Sequence, residues 1–188
     1  MNELNELYQF SKEQWSNVAE NAYTLGYQYE KTYRGCGQCT LAAVFDAFNI
    51  HHDAVFQSAT GLAGGLGLIG EATCSAFTGG VMIFGLIFPR RREYFDGDRE
   101  NKYRTYAMTQ EMHKRYTARF GSVTCHDIHS KIMGRPFDLR SVDERDCFDK
   151  AGAHDNKCTE VVALASKWTI EIIQIEIIKD QQTSIKSN

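Results

Sequence analysis

Residues 61–89 read GLAGGLGLIGEATCSAFTGGVMIFGLIFP, and this stretch determines how the rest of the chain is interpreted. Its only charged residue is Glu71, so by length it could cross a membrane. Glycines are crowded at the start of the stretch, and the Glu71 carboxylate would lie near the bilayer centre at a cost of about 2.5–3.5 kcal/mol. Both features argue against a membrane span. We therefore predict a glycine-rich loop over Gly61–Gly70, then a buried helix over 74–87 that Pro89 ends.

On both sides of this stretch, apolar residues at helical spacing predict further helices. Ser11 and Gln14 form a capping box at the start of the first helix. The other predicted helices begin near Gln38 or Cys39, at Asp53, at Asp98, at Thr124 and near Asn156. Residues 135–157 are expected to be polar and irregular.

The segment TIEIIQIEII near the C-terminus could form a strand, because isoleucine favours sheets. No glycine or proline separates it from the preceding helix, so we predict that the helix continues. Since no second strand is evident, the predicted fold is all-α, a compact bundle of about six to eight helices. We expect a single domain over residues 1–180 and a disordered tail over 181–188.

Composition excludes several classes of protein. The 188 residues carry 21 Lys and Arg against 24 Asp and Glu, a net charge of -3, so no basic excess indicates nucleic-acid binding. The N-terminus, MNELNELYQF, lacks the features of a signal peptide, which predicts a cytoplasmic protein without disulfides. Motifs of hydrolases, metalloproteases and nucleotide-binding proteins are missing from the sequence.

The six cysteines are the specific signal. Cys36 and Cys39 form a CxxC, but the spacings fit neither a zinc ribbon nor a ferredoxin. All but Cys147 fall near predicted helix starts, where the helix dipole would lower a thiol pKa and favour the thiolate. If these helix starts meet at one end of the bundle, the thiolates could bind an iron–sulfur cluster or zinc. For any single cysteine, a role as a small buried core residue is the more common outcome.

The quoted stretch also carries a resemblance, through Cys74, Ala76 and Gly79. Together with CTLAAVFDAF from Cys39, FGSVTCHDIHSKIMG around Cys125 and KCTEVVALASKW around Cys158, it resembles the C_GCAxxG_C_C family of redox-active proteins. The chain is also similar to the iron–sulfur part of split-Soret cytochromes, although it has no CxxCH for covalent haem. Thr73 stands where the family pattern has glycine.

The resemblance implies a helical redox protein that binds an iron–sulfur cluster, with zinc as the alternative cofactor. Its pattern implies four ligands, with two further cysteines as alternates. The expected ligands are Cys39, Cys74, Cys125 and Cys158, and the alternates are Cys36 and Cys147. We expect Glu71, Gly64 and Gly65 to lie close around such a centre.

Three functions remain open at this stage. The first is electron transfer to or from a redox partner protein or a small-molecule substrate, the second is structural zinc binding, and the third is thiol exchange by Cys36 and Cys39 without a metal. No catalytic residue or substrate can be named. An aromatic stripe with Tyr103, Tyr106 and Tyr116 could form a subunit contact in a homo-oligomer, and neither nucleic acid nor a membrane is an expected partner.

Overall fold

A computed structural model describes residues 6–186, and the side chains of residues 6–183. This part of the chain contains eight α-helices and no strand, which confirms the predicted all-α bundle. The helices are α1 (Lys12–Tyr33), α2 (Cys36–Phe48), α3 (Asp53–Ser58), α4 (Ser75–Ile87), α5 (Arg99–Phe120), α6 (Cys125–Met133), α7 (Val142–Lys150) and α8 (Cys158–Lys186). A π-helical turn, Ala153–Lys157, leads into α8.

Local sequence signals explain several of these boundaries. The capping box is present: the Ser11 side chain accepts from the Gln14 backbone N–H, and the Gln14 side chain accepts from the Ser11 N–H. Gly121 and Gly134 end α5 and α6 in left-handed conformations, which glycine adopts without steric cost. The helix after the glycine-rich loop begins at Ser75, one residue after its predicted start.

The core lies between the two long helices α1 and α8 and the shorter pair α2 and α4. Helix α5 packs on α4 and α8 through Met108, Met112, Tyr116 and Phe120, all of which are buried. The predicted aromatic stripe is thus divided, because Tyr103 and Tyr106 are exposed. Tyr116 therefore belongs to the core, whereas the other two tyrosines face solvent.

One prediction about regular structure was wrong. Residues 135–157 were expected to be irregular, but they contain α7 and the π-helical turn around a small apolar cluster of Phe137, Leu139, Phe148 and Ala153. Helix α7 is highly charged and buries only Phe148. Its sequence therefore lacks the amphipathic pattern from which a helix is predicted. Residues 181–186 are helical and continue α8, and residues 187–188 of the tail that was expected to be disordered lie outside the described residues.

Candidate functional site

Four cysteines line one cavity of about 160 Å³. They are Cys36, Cys74, Cys125 and Cys158. Cys36, Cys125 and Cys158 are the first residues of α2, α6 and α8, and Cys74 is the N-cap of α4. The predicted convergence of helix starts is therefore present.

Cys74 and Cys125 are held side by side by backbone pairing. Thr73 and Thr124 form an isolated antiparallel bridge. The Cys74 N–H donates to the Val123 carbonyl at 2.7 Å, and the Cys125 N–H donates to the Ala72 carbonyl at 3.0 Å. Two cysteines that are far apart in sequence are thus fixed by backbone hydrogen bonds rather than by their own side chains.

Cys36 and Cys74 are brought together by the crossing of α2 and α4. A Cβ built on Gly79 would lie 2.7 Å from the Gly37 carbonyl oxygen, and a Cβ on Gly37 would lie 3.3 Å from the Ser75 carbonyl oxygen. The two helices can approach this closely only because both positions lack side chains. The glycine of the Cys-x-Ala-x-x-Gly element therefore has a packing role next to the cavity.

The glycine-rich loop contacts the site through the two expected glycines. Residues 64–68 all have positive φ, which gives a short left-handed turn that includes Leu66 and Leu68. The Gly64 backbone lies close enough to Cys36 to lower the pKa of its thiol, against the larger effect of burial. A Cβ on Gly65 would lie 2.7 Å from the Cys125 Cβ. The two non-glycine residues carry a cost of about 1–2 kcal/mol each in this conformation, so the turn is held by its surroundings.

The two remaining cysteines lie elsewhere. Cys39 is buried, its thiol donates to the Arg34 carbonyl at 3.1 Å, and it lines a separate pocket with Tyr29 and Asp46. Cys147 is exposed on α7. Cys36, which was expected only as an alternate ligand, therefore lines the cavity, and Cys39, which was an expected ligand, does not.

The thiols do not have the lowered pKa values that their helix starts predicted. The pKa of Cys36 is raised to about 12, mainly by burial and to a smaller extent by the charges of Glu30 and Cys74. Burial also raises the pKa of Cys74, although the N–H groups of Ala76 and Phe77 act in the opposite direction. The prediction was wrong because loss of hydration outweighs the N–H groups of the helix start.

Cys125 and Cys158 show the same behaviour. Burial is the main cause of the raised pKa of each thiol, and the other cavity cysteines add to it. These mutual electrostatic effects show that the four sulfurs share one environment. Without a bound metal, the side chains of all four cavity cysteines are neutral thiols at neutral pH.

The buried carboxyl group of the site is not the expected one. Glu71 is exposed and does not line the cavity. Glu30, on α1, is only 3% exposed and does line it. Glu30 was missed because it lies among polar residues at the end of an amphipathic helix. Its one sequence signal is a position on the buried face, four residues after Gly26.

Two histidines also line the cavity. His129 Nε2 lies 3.4 Å from the Cys125 sulfur, and burial lowers the His129 pKa to about 4, so the ring is neutral. His154 lies in the π-helical turn, with Nδ1 3.5 Å from a Glu30 oxygen and Nε2 3.5 Å from an Asp149 oxygen. His126 instead contacts the Phe137 carbonyl.

Buried polar atoms without a hydrogen-bond partner gather around this cavity. Among the described side chains they are Glu30 Oε2, His129 Nδ1, His154 Nδ1, the Tyr116 hydroxyl and the Thr159 hydroxyl. The first three belong to residues that line the cavity. Tyr116 interacts with Cys74, and Thr159 follows Cys158. Such atoms are rare in native proteins, and a polar group or water in the cavity would give them the partners that the described side chains do not provide.

The described residues contain neither a preformed site for a single metal ion nor a membrane-spanning helix. Over residues 6–186, no group of three or more His, Cys, Asp or Glu side chains is arranged to hold a single metal ion. Within the same part of the chain, no helix is both long and apolar enough to span a membrane.

Fold and site together define an all-α protein with a cysteine-lined cavity at its helix starts. Comparison with protein families gives a match to the family described as "Putative redox-active protein (C_GCAxxG_C_C)", over residues 35–172. This range covers more than half of the chain, and the protein belongs to that family. The match begins at the residue before Cys36 and includes all four cavity cysteines. Neither the curated proteins nor the solved structures gave a match.

Proposed function

We propose that this protein is an electron carrier or oxidoreductase that binds an iron–sulfur cluster through Cys36, Cys74, Cys125 and Cys158. The proposal is carried by one observation: cysteines from four separate helix starts line a single cavity. Four cysteine thiolates are the usual ligand set of such clusters. A bound cluster would supply reversible one-electron chemistry.

The protein's own residues fit this group in two ways. Backbone N–H groups from Gly64, Ala76 and Phe77 face cavity sulfurs, where they would stabilise negative charge on a thiolate. The unpartnered atoms of Glu30 and His154 would gain partners in an occupied site.

The structure offers less support for thiol exchange by the CxxC pair. A nucleophilic thiol needs a substantial thiolate fraction near neutral pH, and burial raises the pKa of both Cys36 and Cys39. The two residues also line different pockets. Structural zinc is the second candidate by ligand type, because thiolates are good zinc ligands, although no group of three or more such side chains among the described residues is arranged to hold a single metal ion.

Purification under strictly anaerobic conditions tests the proposal. We expect a brown protein with visible absorption, and equal amounts of iron and acid-labile sulfide. The Cys74→Ala variant should lose both, and Cys147→Ser should retain both, because Cys147 is exposed and outside the cavity. A colourless protein with stoichiometric zinc would favour the second candidate, and a colourless, metal-free protein would refute both.

A further inference from the structure

Glu30, His154 and Asp149 form a row that leads from the cavity to the protein surface. The Glu30 side chain is 3% exposed, that of His154 17% and that of Asp149 38%. His154 Nδ1 lies 3.5 Å from Glu30 Oε1, and His154 Nε2 lies 3.5 Å from Asp149 Oδ1. One imidazole ring thus has a carboxylate oxygen beside each of its nitrogens, the first buried in the cavity wall and the second in contact with solvent.

This arrangement suits the movement of a proton between solvent and cavity. An imidazole ring can accept a proton at one nitrogen and release the proton of the other nitrogen, so histidine can act as a proton shuttle. A distance of 3.5 Å is at the outer limit of hydrogen bonding, and such contacts often shorten when a site is occupied. Arg34 holds the outer end of the row in place, because its guanidinium pairs with the second Asp149 oxygen at 3.1 Å.

The inner end of the row, Glu30, is not held in one charge state by the basic groups of the cavity wall. Its Oε2 atom has no hydrogen-bond partner among the described residues. Arg34 pairs with Asp149, and Arg145 donates to two backbone carbonyl groups. His129, on α6, is neutral because burial lowers its pKa to about 4. A buried carboxylate is costly unless it is paired, so the protonation of Glu30 can respond to charge that appears in the cavity.

Glu30 is electrostatically coupled to the cysteines that face it from the neighbouring helices. Burial is the main cause of the raised pKa of each thiol, and the charge of Glu30 adds to it. The thiols affected in this way lie on α2, at the start of α4, on α6 and on α8, and they are Cys36, Cys39, Cys74, Cys125 and Cys158. Because such coupling is mutual, negative charge that forms at the sulfurs favours the protonated form of Glu30.

We infer that Glu30 takes up a proton when the cavity gains an electron, and that His154 and Asp149 deliver this proton from solvent. The inference rests on the proposed function and makes electron transfer at this site proton-coupled. On reduction, one electron arrives from the redox partner and one proton arrives from water, an O–H bond forms on Glu30, and the net charge of the cavity stays the same. On oxidation, the electron leaves for an acceptor, the O–H bond breaks and the proton returns to solvent.

Three variants test the inference after anaerobic reconstitution with iron and sulfide. Glu30→Gln keeps the size of the side chain and removes its capacity for a charge, and Glu71→Gln makes the same change at an exposed position outside the cavity. His154→Gln keeps polar atoms at the middle of the row but cannot pass a proton on. The measurements are the reduction potential at a series of pH values, the infrared difference spectrum between reduced and oxidised protein, and the electron-transfer rate in film voltammetry.

We expect the potential of wild type and of Glu71→Gln to fall by about 59 mV per pH unit, the value for one proton per electron. The potential of Glu30→Gln should not depend on pH. Reduction of wild type should add an infrared band of a protonated carboxyl group, and Glu30→Gln should lack this band. His154→Gln should keep the wild-type slope, because the equilibrium is unchanged, but its voltammetric peaks should separate at scan rates about tenfold lower.

Each part of the inference has an outcome that overturns it. A potential of wild type that is independent of pH, or a slope that persists in Glu30→Gln, would exclude Glu30 as the proton acceptor. If Glu30→Gln does not fold, the infrared spectrum of wild type decides, and the absence of a new carboxyl band on reduction overturns the role of Glu30. Equal rates for His154→Gln and wild type would overturn the proton path.

These failures are distinct from a failure of the proposed function. If wild type retains iron and sulfide but its potential does not change with pH, the inference alone fails. If wild type retains no iron, the proposed function fails, and the inference fails with it.

Discussion

Gly37 and Gly79 lie against each other where α2 crosses α4, so that a Cβ on Gly79 would lie 2.7 Å from the Gly37 carbonyl oxygen. This contact places Cys36, directly before Gly37, close to Cys74 at the start of α4. The helix crossing and the cavity are therefore parts of the same arrangement. A change that separates the helices should affect both stability and the site.

We predict that Gly79→Ala destabilises the protein by about 1–3 kcal/mol, because the added methyl group meets backbone that cannot move aside. Gly85→Ala, in the same helix, is the control, since nothing lies within 4 Å of a Cβ there. That change should be neutral or stabilise by up to about 1 kcal/mol through helix propensity. Urea unfolding of the two variants measures the difference, and equal stabilities would disprove the close crossing.

The two cysteines of the CxxC should differ in their effect on metal content. Cys36 lines the cavity, whereas the Cys39 thiol donates to the Arg34 carbonyl and lines another pocket. We expect Cys36→Ser to lose most of the iron and Cys39→Ser to keep it, as measured by iron and sulfide content after anaerobic purification. The opposite result would restore Cys39 as the ligand that the family resemblance implied.

Accessibility predicts which thiol of the native, metal-free protein reacts first. Cys147 is exposed, whereas Cys74 and Cys125 are buried and have raised pKa values. We expect iodoacetamide at neutral pH to modify Cys147 well before the buried thiols. Peptide mass spectrometry over a time course identifies the order, and early modification of Cys74 would contradict the enclosed cavity.

Segment 135–151 should control access to the cavity. It lies between Gly134 and Gly152, both with positive φ, and it contains the small cluster around Phe148. Asp149, in this segment, forms an ion pair with Arg34, the residue that follows α1, with 3.1 Å between the Asp149 carboxylate oxygen and the guanidinium nitrogen.

We predict that Asp149→Asn increases the alkylation rate of the cavity cysteines, because loss of the ion pair frees the segment from Arg34. The increase should be only about two- to fivefold, because an exposed ion pair stabilises weakly. Asp138→Asn is the matched control, since Asp138 pairs with Arg140 inside the segment. If both variants react like wild type, the pair does not hold the segment closed.

The raised thiol pKa values predict a loss of stability at alkaline pH in the metal-free protein. Cys36 has a pKa of about 12 in the folded chain against an ordinary value of 9.0. Between these values the folded chain holds a proton that the unfolded chain releases, so the free energy of unfolding falls as the pH rises. The contribution of the thiol is complete below pH 9 and disappears as the pH passes through 12.

Urea unfolding at a series of pH values should therefore show a shallower decline for Cys36→Ala than for wild type. Cys147→Ser, at an exposed position, should decline like wild type. Identical slopes for Cys36→Ala and wild type would mean that the thiol keeps its ordinary pKa.

Local signals in the sequence were sufficient for most of the helices. The Ser11 capping box, the stop at Gly121 and the apolar spacing of Met108 and Met112 all act within one or two helical turns, so they can be recognised without knowledge of the fold. The continuous α8 was also predictable, because no helix-breaking residue interrupts it. Helix α7 was missed because its charged sequence shows no apolar face.

The site depended on tertiary structure in three respects. The position of Cys36 in the cavity instead of Cys39 follows from the rotation of α2 against α4, and spacing along the chain does not give that rotation. The pKa values follow from burial, which outweighs the local effect of the helix start. Glu30 reaches the cavity only because α1 packs beside α2 and α8. Local sequence signals were thus enough for most of the helices and for the cysteines at their starts, whereas long-range packing decides which side chains meet and in what charge state.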